Sequence, residues 1–271
     1  MDDRCVGVIG GTSLTGECLL PLLCGDGRRV IAFSRRVGGD SRGGGGEEMI
    51  PDPLLEGGDG VVWRGLGVPV QPSGASPPER IAYWVCVAPA WALPEHFTLL
   101  ERAGARRVVM LSSTSRFTKF DSSDAFERAI ALRLSGAENG LRRWAESKNI
   151  EWVVLRPTLI YGRGRDKNIT EIARFIRRFG FFPLIGRGMG LRQPVHVEDV
   201  ASACVGALKS VVAVNRAYNL SGGETLTYRE MVARVFVALR RHPRLVKVPR
   251  HFFRMAVQGI RLLPGYRHWT P

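Results

Sequence analysis

The chain has 271 residues, 45% of them apolar and 24% charged, with 39 Lys and Arg against 25 Asp and Glu. This composition excludes a largely disordered chain and allows one large α/β domain with an added lobe. The net charge of +14 comes mostly from arginines dispersed between Arg4 and Arg267, so no nucleic-acid partner is expected, while anionic ligands and an acidic membrane surface remain open as partners.

Cys5–Ile9 is a short apolar run ending in glycines and reads as a buried strand. Leu14, Cys18, Leu19, Leu22 and Leu23 then recur at helical spacing over Thr15–Cys24, and Gly25-Asp26-Gly27 ends that helix. Val30–Phe33 is a second buried strand, completing a strand–Gly loop–helix–strand unit. The run VGGDSRGGGG over Val37–Gly46 cannot bury a core and reads as a loop. Strands are expected at Val61–Arg64, Ile81–Val87 and Arg107–Leu111, with a short helix at Pro94–Ala103. Asp124 is placed to cap a long helix whose apolar stripe is Phe126, Ile130, Leu134, Ala137, Leu141 and Trp144. A strand at Trp152–Leu155 closes at Arg156-Pro157. Beyond it follow a basic helix at Ile169–Phe179, a strand at Arg192–Val195, a helix at Glu198–Lys209, a strand at Ala217–Leu220 and a helix at Tyr228–Leu239. Strands alternating with helices predict an α/β fold, a doubly wound Rossmann-type parallel sheet. We expect residues 1–160 to form an NAD(P)-binding domain and 161–271 a smaller C-terminal substrate lobe, interleaved with the end of the sheet.

The loop after the first strand, GGTSLTG, delivers the chain to a helix N-terminus, where free N–H groups and the dipole attract a pyrophosphate. Gly10 permits the tight turn and Gly16 a close helix–strand approach, with Thr12 and Leu14 between them. Ser13 stands where the dinucleotide fingerprint has its second glycine. Its side chain is small and its hydroxyl can donate to phosphate. The second strand ends in Phe33-Ser34-Arg35-Arg36, without the carboxylate that holds the ribose hydroxyls of NAD. Ser34, Arg35 and Arg36 suit a 2′-phosphate, so NADP(H) is expected over NAD(H). The competing reading of the two arginines is a solvated turn.

GGTSLTG, then LSSTS after a strand, LRPTLIYG, PVHVEDVA and AYNLSGGETLTYREM occur in that order across residues 5–240. The pattern resembles extended and atypical short-chain dehydrogenases/reductases, the NAD-dependent epimerase/dehydratase superfamily. The resemblance implies a small-molecule substrate and a cofactor that passes Ala88 and Pro89 on its adenosine side. It places Ser112, Ser113 and Pro157 near the nicotinamide. In that family a Tyr-x-x-x-Lys pair moves the substrate proton. With Ala137-Glu138 aligned to the usual Ala-Glu, the tyrosine position holds Ile130 and the lysine position Leu134. In this respect the chain is similar to the nucleotide-binding accessory subunit of respiratory complex I. Ser112, Ser113, Lys119 and Tyr161 are the catalytic candidates, with Arg116, Glu127 and Arg133 as further charges nearby. His196 resembles a position that braces the lobe.

Two functions follow as expectations. One is an NADP(H)-dependent oxidoreductase or epimerase-like enzyme acting on a small hydroxyl or carbonyl substrate. The other is a non-catalytic NADP(H)-binding sensor or accessory protein. The five cysteines show no paired spacing and read as free thiols in a reducing compartment, hence cytoplasmic. The scattered histidines offer no metal site. The start Met1-Asp2-Asp3-Arg4 does not read as a signal peptide, and no uncharged run is long enough to span a bilayer. Residues 250–267 interleave Phe252, Phe253, Met255 and Ile260 with arginines. That pattern suits either a cap on the lobe or a peripheral membrane or protein contact.

Overall fold

The computed structural model describes residues 4–34, 61–66 and 80–249. Its elements in chain order are β1 (Cys5–Ile9), α1 (Leu14–Gly25), β2 (Arg29–Ser34), β3 (Val61–Gly65), β4 (Tyr83–Cys86), a 3-10 helix (Ala90–His96), α2 (Phe97–Arg102), β5 (Arg107–Leu111), α3 (Ser115–Thr118), α4 (Ala125–Ser147), β6 (Glu151–Pro157), β7 (Leu159–Tyr161) and α5 (Ile169–Phe179). There follow β8 (Phe182–Ile185), β9 (Leu191–Arg192), β10 (Pro194–His196), α6 (Val197–Lys209), β11 (Arg216–Leu220), β12 (Leu226–Thr227), α7 (Tyr228–Ala238) and β13 (Leu245–Val248). They divide into two compact units. The first takes the described residues up to Thr158 together with His196–Leu220; the second takes Leu159–Val195 and the described residues from Ser221 onward.

The first unit is built on a seven-stranded sheet in the order β11-β6-β5-β4-β1-β2-β3, with every pair parallel. Every residue of β1 and of β5 is buried, as a sheet covered on both faces requires. One face packs Ile9, Trp84, Met110 and Val154 against Leu134 and Leu141 of α4 and Leu93 of the 3-10 helix. Alternation puts Val6 and Val8, both fully buried, on the other face, and α1 and α6 pack together. The buried Arg107 has a structural task. Its Nη1 donates to the carbonyls of Leu208 at 2.7 Å and Ser210 at 3.1 Å, closing the C-terminus of α6, while Nε meets Glu151 at 2.6 Å.

In this sheet the chain runs from β1 outward to β2 and β3, then returns to β4 on β1's other side. The order therefore reverses between β1 and β4, and the carboxyl ends of those strands flank the crevice where open α/β sheets bind ligands.

The second unit has its own core. Ile172 and Ile176 of α5 pack with Met231, Val232, Val235 and Phe236 of α7. A Thr227–Glu230 capping box starts α7, and Gly180 in the left-handed conformation ends α5. The short strands pair β8 with β13, β9 with β12 and β7 with β10.

Candidate functional site

The loop between β1 and α1 is shaped by three steric constraints. Gly10 has φ +90°, and a Cβ there would stand 2.8 Å from Cα of Ala88. That contact marks where the chain after β4 crosses the loop, with the Val87 and Ala88 N–H groups both donating to Ile9 O. A Cβ on Gly16 would lie 2.5 Å from the Gly10 carbonyl oxygen. Ser13, by contrast, has φ −76° and ψ 161°, ordinary extended backbone that any residue adopts, so a serine fits without strain. Its Oγ accepts from Gly16 N–H at 3.0 Å and caps α1. The Ser13 hydroxyl hydrogen is not used in that bond, and the first turn of α1 leaves Leu14 and Thr15 N–H without an intrahelical carbonyl. The loop thus has the donors and the open backbone that a diphosphate needs. Ser34 is buried at the end of β2. Arg35 and Arg36 lie outside the described residues.

Ser112 and Ser113 follow β5. The Ser112 N–H donates to Leu155 O at 2.7 Å, and Thr114 N–H to Pro157 O at 3.1 Å, which fastens the carboxyl ends of β5 and β6 together. The Ser112 hydroxyl donates to Glu138 Oε1 at 2.5 Å. Glu138, only 4% exposed, also receives Arg116 Nη1 and, from Arg156, Nη2 at 2.6 Å and Nε at 3.0 Å. Both guanidiniums also lie over the ring of Phe117. The cluster ties β5, α3, α4 and β6 together and uses the Ser112 proton, leaving that oxygen to act only as an acceptor. Ser113 Oγ accepts from Ser115 N–H at 3.1 Å, which leaves its own hydrogen able to donate.

The neighbouring candidates are similarly engaged. Lys119 Nζ pairs with Glu127 Oε1 at 2.9 Å. Lys119 and the Ser122 hydroxyl hold the Glu127 carboxyl below its ordinary value. Arg133 lies over the Trp91 ring at 4.3 Å. Ile130 and Leu134 both belong to the apolar packing beneath α4. Phe126 departs from the expected stripe: it is 69% exposed, because it lies in the first turn of α4, beside the Asp124 cap. Burial pushes the Cys86 and Cys204 thiols up to about 12, so neither is a nucleophile at neutral pH.

Tyr161 lies half-buried on β7 in the second unit. That unit contains a cavity of about 540 Å³ bordered by Lys167, Arg178, Arg192, Phe175 and Tyr228 and by Arg174, which is paired with the lining Glu171 at 2.6 Å. Burial raises the Tyr228 hydroxyl above its ordinary value, with Arg192 opposing the shift, so the phenol is a neutral donor. In the same unit, the buried Asp166 accepts from the N–H groups of Asn168 at 3.0 Å and Thr170 at 3.1 Å and from the Thr170 hydroxyl. Burial alone would raise this carboxyl, but the hydrogen bonds from Thr170, Asn168 and Gly162 outweigh it and the net shift is downward. The resulting stabilisation is complete above the unfolded carboxylate value and disappears as pH falls through the lower folded value. Asp166→Asn should therefore lower the thermal midpoint at neutral pH, by a margin that shrinks on acidification. A constant difference across the titration would remove this role.

From sequence Arg116 is named only as a nearby charge and Glu138 only as an alignment anchor; neither their joint cluster with Arg156 nor the cationic cavity is read there. The signals were present: a glutamate four residues after Leu134 on the buried stripe requires a buried partner, and Arg174 and Arg178 share one face of α5.

Residues 97–221 match the model of the NAD dependent epimerase/dehydratase family. The chain is 36% identical over 100 residues to NADH dehydrogenase [ubiquinone] 1 alpha subcomplex subunit 9, mitochondrial, of Arabidopsis thaliana, covering 36% of this chain and 25% of that protein. It is 26% identical over 131 residues to the UDP-glucose 4-epimerase of Vibrio cholerae, covering 48% of this chain and 40% of that one. The matched stretches thus span less than half of either relative. Two solved structures share the fold. MoeE5 in complex with UDP-glucose and NAD has TM-score 0.66 at 20% identity, over 90% of this chain and 85% of that one. The UDP-glucose 4-epimerase of Thermotoga maritima with UDP-glucose has TM-score 0.65 at 16% identity, with the same coverage. A stretch of the chain is thus similar to the NAD dependent epimerase/dehydratase family, and the solved structures share its fold.

Proposed function

We propose that the protein binds NADP(H) in the β1–α1 loop and holds it as a structural or sensing group, without the proton relay of its superfamily. The observation that carries this reading is the fate of the relay positions. Ile130 and Leu134 are packing residues, and the Ser112 proton is given to Glu138. Gly10, Thr12, Ser13, Leu14 and Gly16 would hold the diphosphate, Ala88 and Pro89 the adenosine side, and Ser112 and Pro157 the nicotinamide side. Ser34, Arg35 and Arg36 would select the 2′-phosphate. A bound nicotinamide supplies hydride transfer; the residues named here supply orientation and no proton. The buried free cysteines favour a reducing compartment, in the simplest case the cytoplasm.

The second unit's cavity favours an alternative reading, an oxidoreductase or epimerase-like enzyme. Lys167, Arg174, Arg178 and Arg192 suit a phosphorylated small hydroxyl or carbonyl substrate, and two structural relatives were solved with UDP-glucose. Ser113, Lys119 and Tyr161 would then be the proton-handling candidates.

One pair of measurements separates these readings. Fluorescence titration of the full chain should show NADPH binding at least about tenfold tighter than NADH, with Arg35→Ala and Arg36→Ala erasing the difference. Incubation with NADPH and a panel of carbonyl compounds and nucleotide sugars should leave the NADPH unconsumed. Steady turnover that Ser113→Ala, Lys119→Met or Tyr161→Phe abolishes would install the enzyme reading instead. Failure to bind either dinucleotide would remove both.

A further inference from the structure

The second unit also carries a cationic, aromatic projection that takes no part in the cofactor loop. α5 ends in Arg177-Arg178-Phe179, Gly180 reverses the chain at φ 77°, and Phe181-Phe182 follow. The rings of Phe175, Phe179 and Phe181 form one group, with centroids 4.6 Å (Phe175–Phe179), 5.8 Å (Phe175–Phe181) and 6.4 Å (Phe179–Phe181) apart. Even so, Phe179 remains 51% and Phe181 37% exposed. Single exposed apolar residues are ordinary, but adjacent exposed rings at the tip of a helix mark an interaction surface.

A second basic segment lies against this tip. Arg241 Nη1 donates to the carbonyls of Ile176 at 2.8 Å and Arg177 at 3.3 Å, and Phe182 N–H donates to the Arg244 carbonyl at 2.9 Å. Arg177, Arg178, Arg240, Arg241 and Arg244 are all exposed, and neither segment, 174–182 or 240–244, contains a carboxylate. The negative end of the α5 dipole accounts for one or two such cations, and Arg241 already fills that place. The other guanidiniums exceed what the fold requires.

We propose that this projection docks on an anionic lipid surface. Phe179 and Phe181 enter the interfacial region, and Arg177, Arg178, Arg240 and Arg244 meet the lipid phosphates. The rings carry no polar atom and lose no hydrogen bond on leaving water. Arginine pairs with phosphate bidentately, and a cluster of four or more cations beside an apolar group is matched to an acidic leaflet. A nucleic acid would engage the arginines but gain little from this tip. Phe181 meets Phe175 edge-on, at 89°, which offers a packed wedge rather than a parallel stack for bases.

The test is flotation of the full chain with vesicles of phosphatidylcholine alone and of phosphatidylcholine mixed with phosphatidylserine. The chain should float with the mixed vesicles only, and added salt should weaken the association. Phe179→Ser with Phe181→Ser should reduce apparent affinity at least about tenfold, while Phe179→Trp with Phe181→Trp should preserve it. Arg177→Gln and Arg178→Gln should each cost about fivefold, and they decide the matter if the serine variant fails to fold by circular dichroism. Phe252→Ser with Phe253→Ser in the tail should leave flotation intact. No flotation on acidic vesicles, loss with the tail variant alone, or binding to duplex DNA without binding to vesicles would each overturn the assignment.

Discussion

Replacing Glu138 by alanine should destabilise the protein by about 3–5 kcal/mol, a fall in thermal midpoint on the order of 10 °C for a domain of this size. The size follows from the asymmetry of buried ion pairs. In place, the carboxylate at 4% exposure answers two guanidiniums whose side chains are 22% and 15% exposed, together with the Ser112 hydroxyl. Without it, two cations beside Phe117 lose the anion they share, and the less exposed Arg156 is left without its buried partner. Glu138→Gln keeps the shape and one acceptor but loses the charge, so its cost should fall between wild type and alanine. The double change Glu138→Met with Arg156→Met should cost less than the sum of the single changes, because it removes both members of the more buried pair, in which Arg156 donates through two nitrogens, and leaves the more exposed Arg116 to turn outward. Denaturant melts of these variants decide the matter. A loss under 1 kcal/mol for the alanine variant would mean that water screens the cluster as it does a surface pair.

The same cluster shows why the sheet was legible in the sequence and part of the site was not. Strands such as Arg107–Leu111 are continuous apolar runs, and that pattern has few readings other than a parallel, doubly covered sheet. α5 was readable over Ile169–Phe179 because its apolar period ends at Gly180, whose left-handed φ closes the helix. The strand expected over Ile81–Val87 pairs only across Tyr83–Cys86, because Val87 and Ala88 both turn their N–H groups onto Ile9 O. The helix expected over Pro94–Ala103 begins instead as a 3-10 turn at Ala90 and becomes α-helical only at Phe97. β7, β8, β12 and β13 are two to four residues long, too short for a periodic signal. Glu138 escaped because its meaning depends on Arg116 and Arg156, which are 22 and 18 residues away in the chain and adjacent only after folding. Arg35 and Arg36, proposed to select NADP(H), and the basic tail lie outside the described residues, so their assignments rest on sequence.

The second large effect belongs to the β1–α1 loop, the proposed cofactor site. Gly16→Ala should weaken dinucleotide binding by about 30-fold or more. The added Cβ would stand 2.5 Å from the Gly10 carbonyl oxygen and 2.6 Å from the Gly11 carbonyl carbon, closer than real Cβ atoms come. Both obstacles are backbone, so rotating a side chain gives no relief. Either α1 moves away from β1 or the loop deforms, and each course displaces the first-turn N–H groups from the arrangement proposed to meet a phosphate. Losing one charge-assisted hydrogen bond already amounts to about 1.5–3 kcal/mol. Gly25→Ala is the control, since a Cβ at the far end of the same helix meets nothing within 4 Å; it should bind as wild type does. Ser13→Gly tests the other half of the argument. It removes the Ser13 cap on Gly16 N–H, which costs only a few tenths of a kcal/mol in α1, and it loses the hydroxyl donor while restoring the glycine of the fingerprint, so affinity should fall far less than it does for Gly16→Ala. Titration of the three variants with NADPH, with thermal melts alongside to exclude unfolding, checks the set. If Gly16→Ala melts normally and binds NADPH as tightly as Gly25→Ala, the cofactor is held somewhere other than the N-terminus of α1.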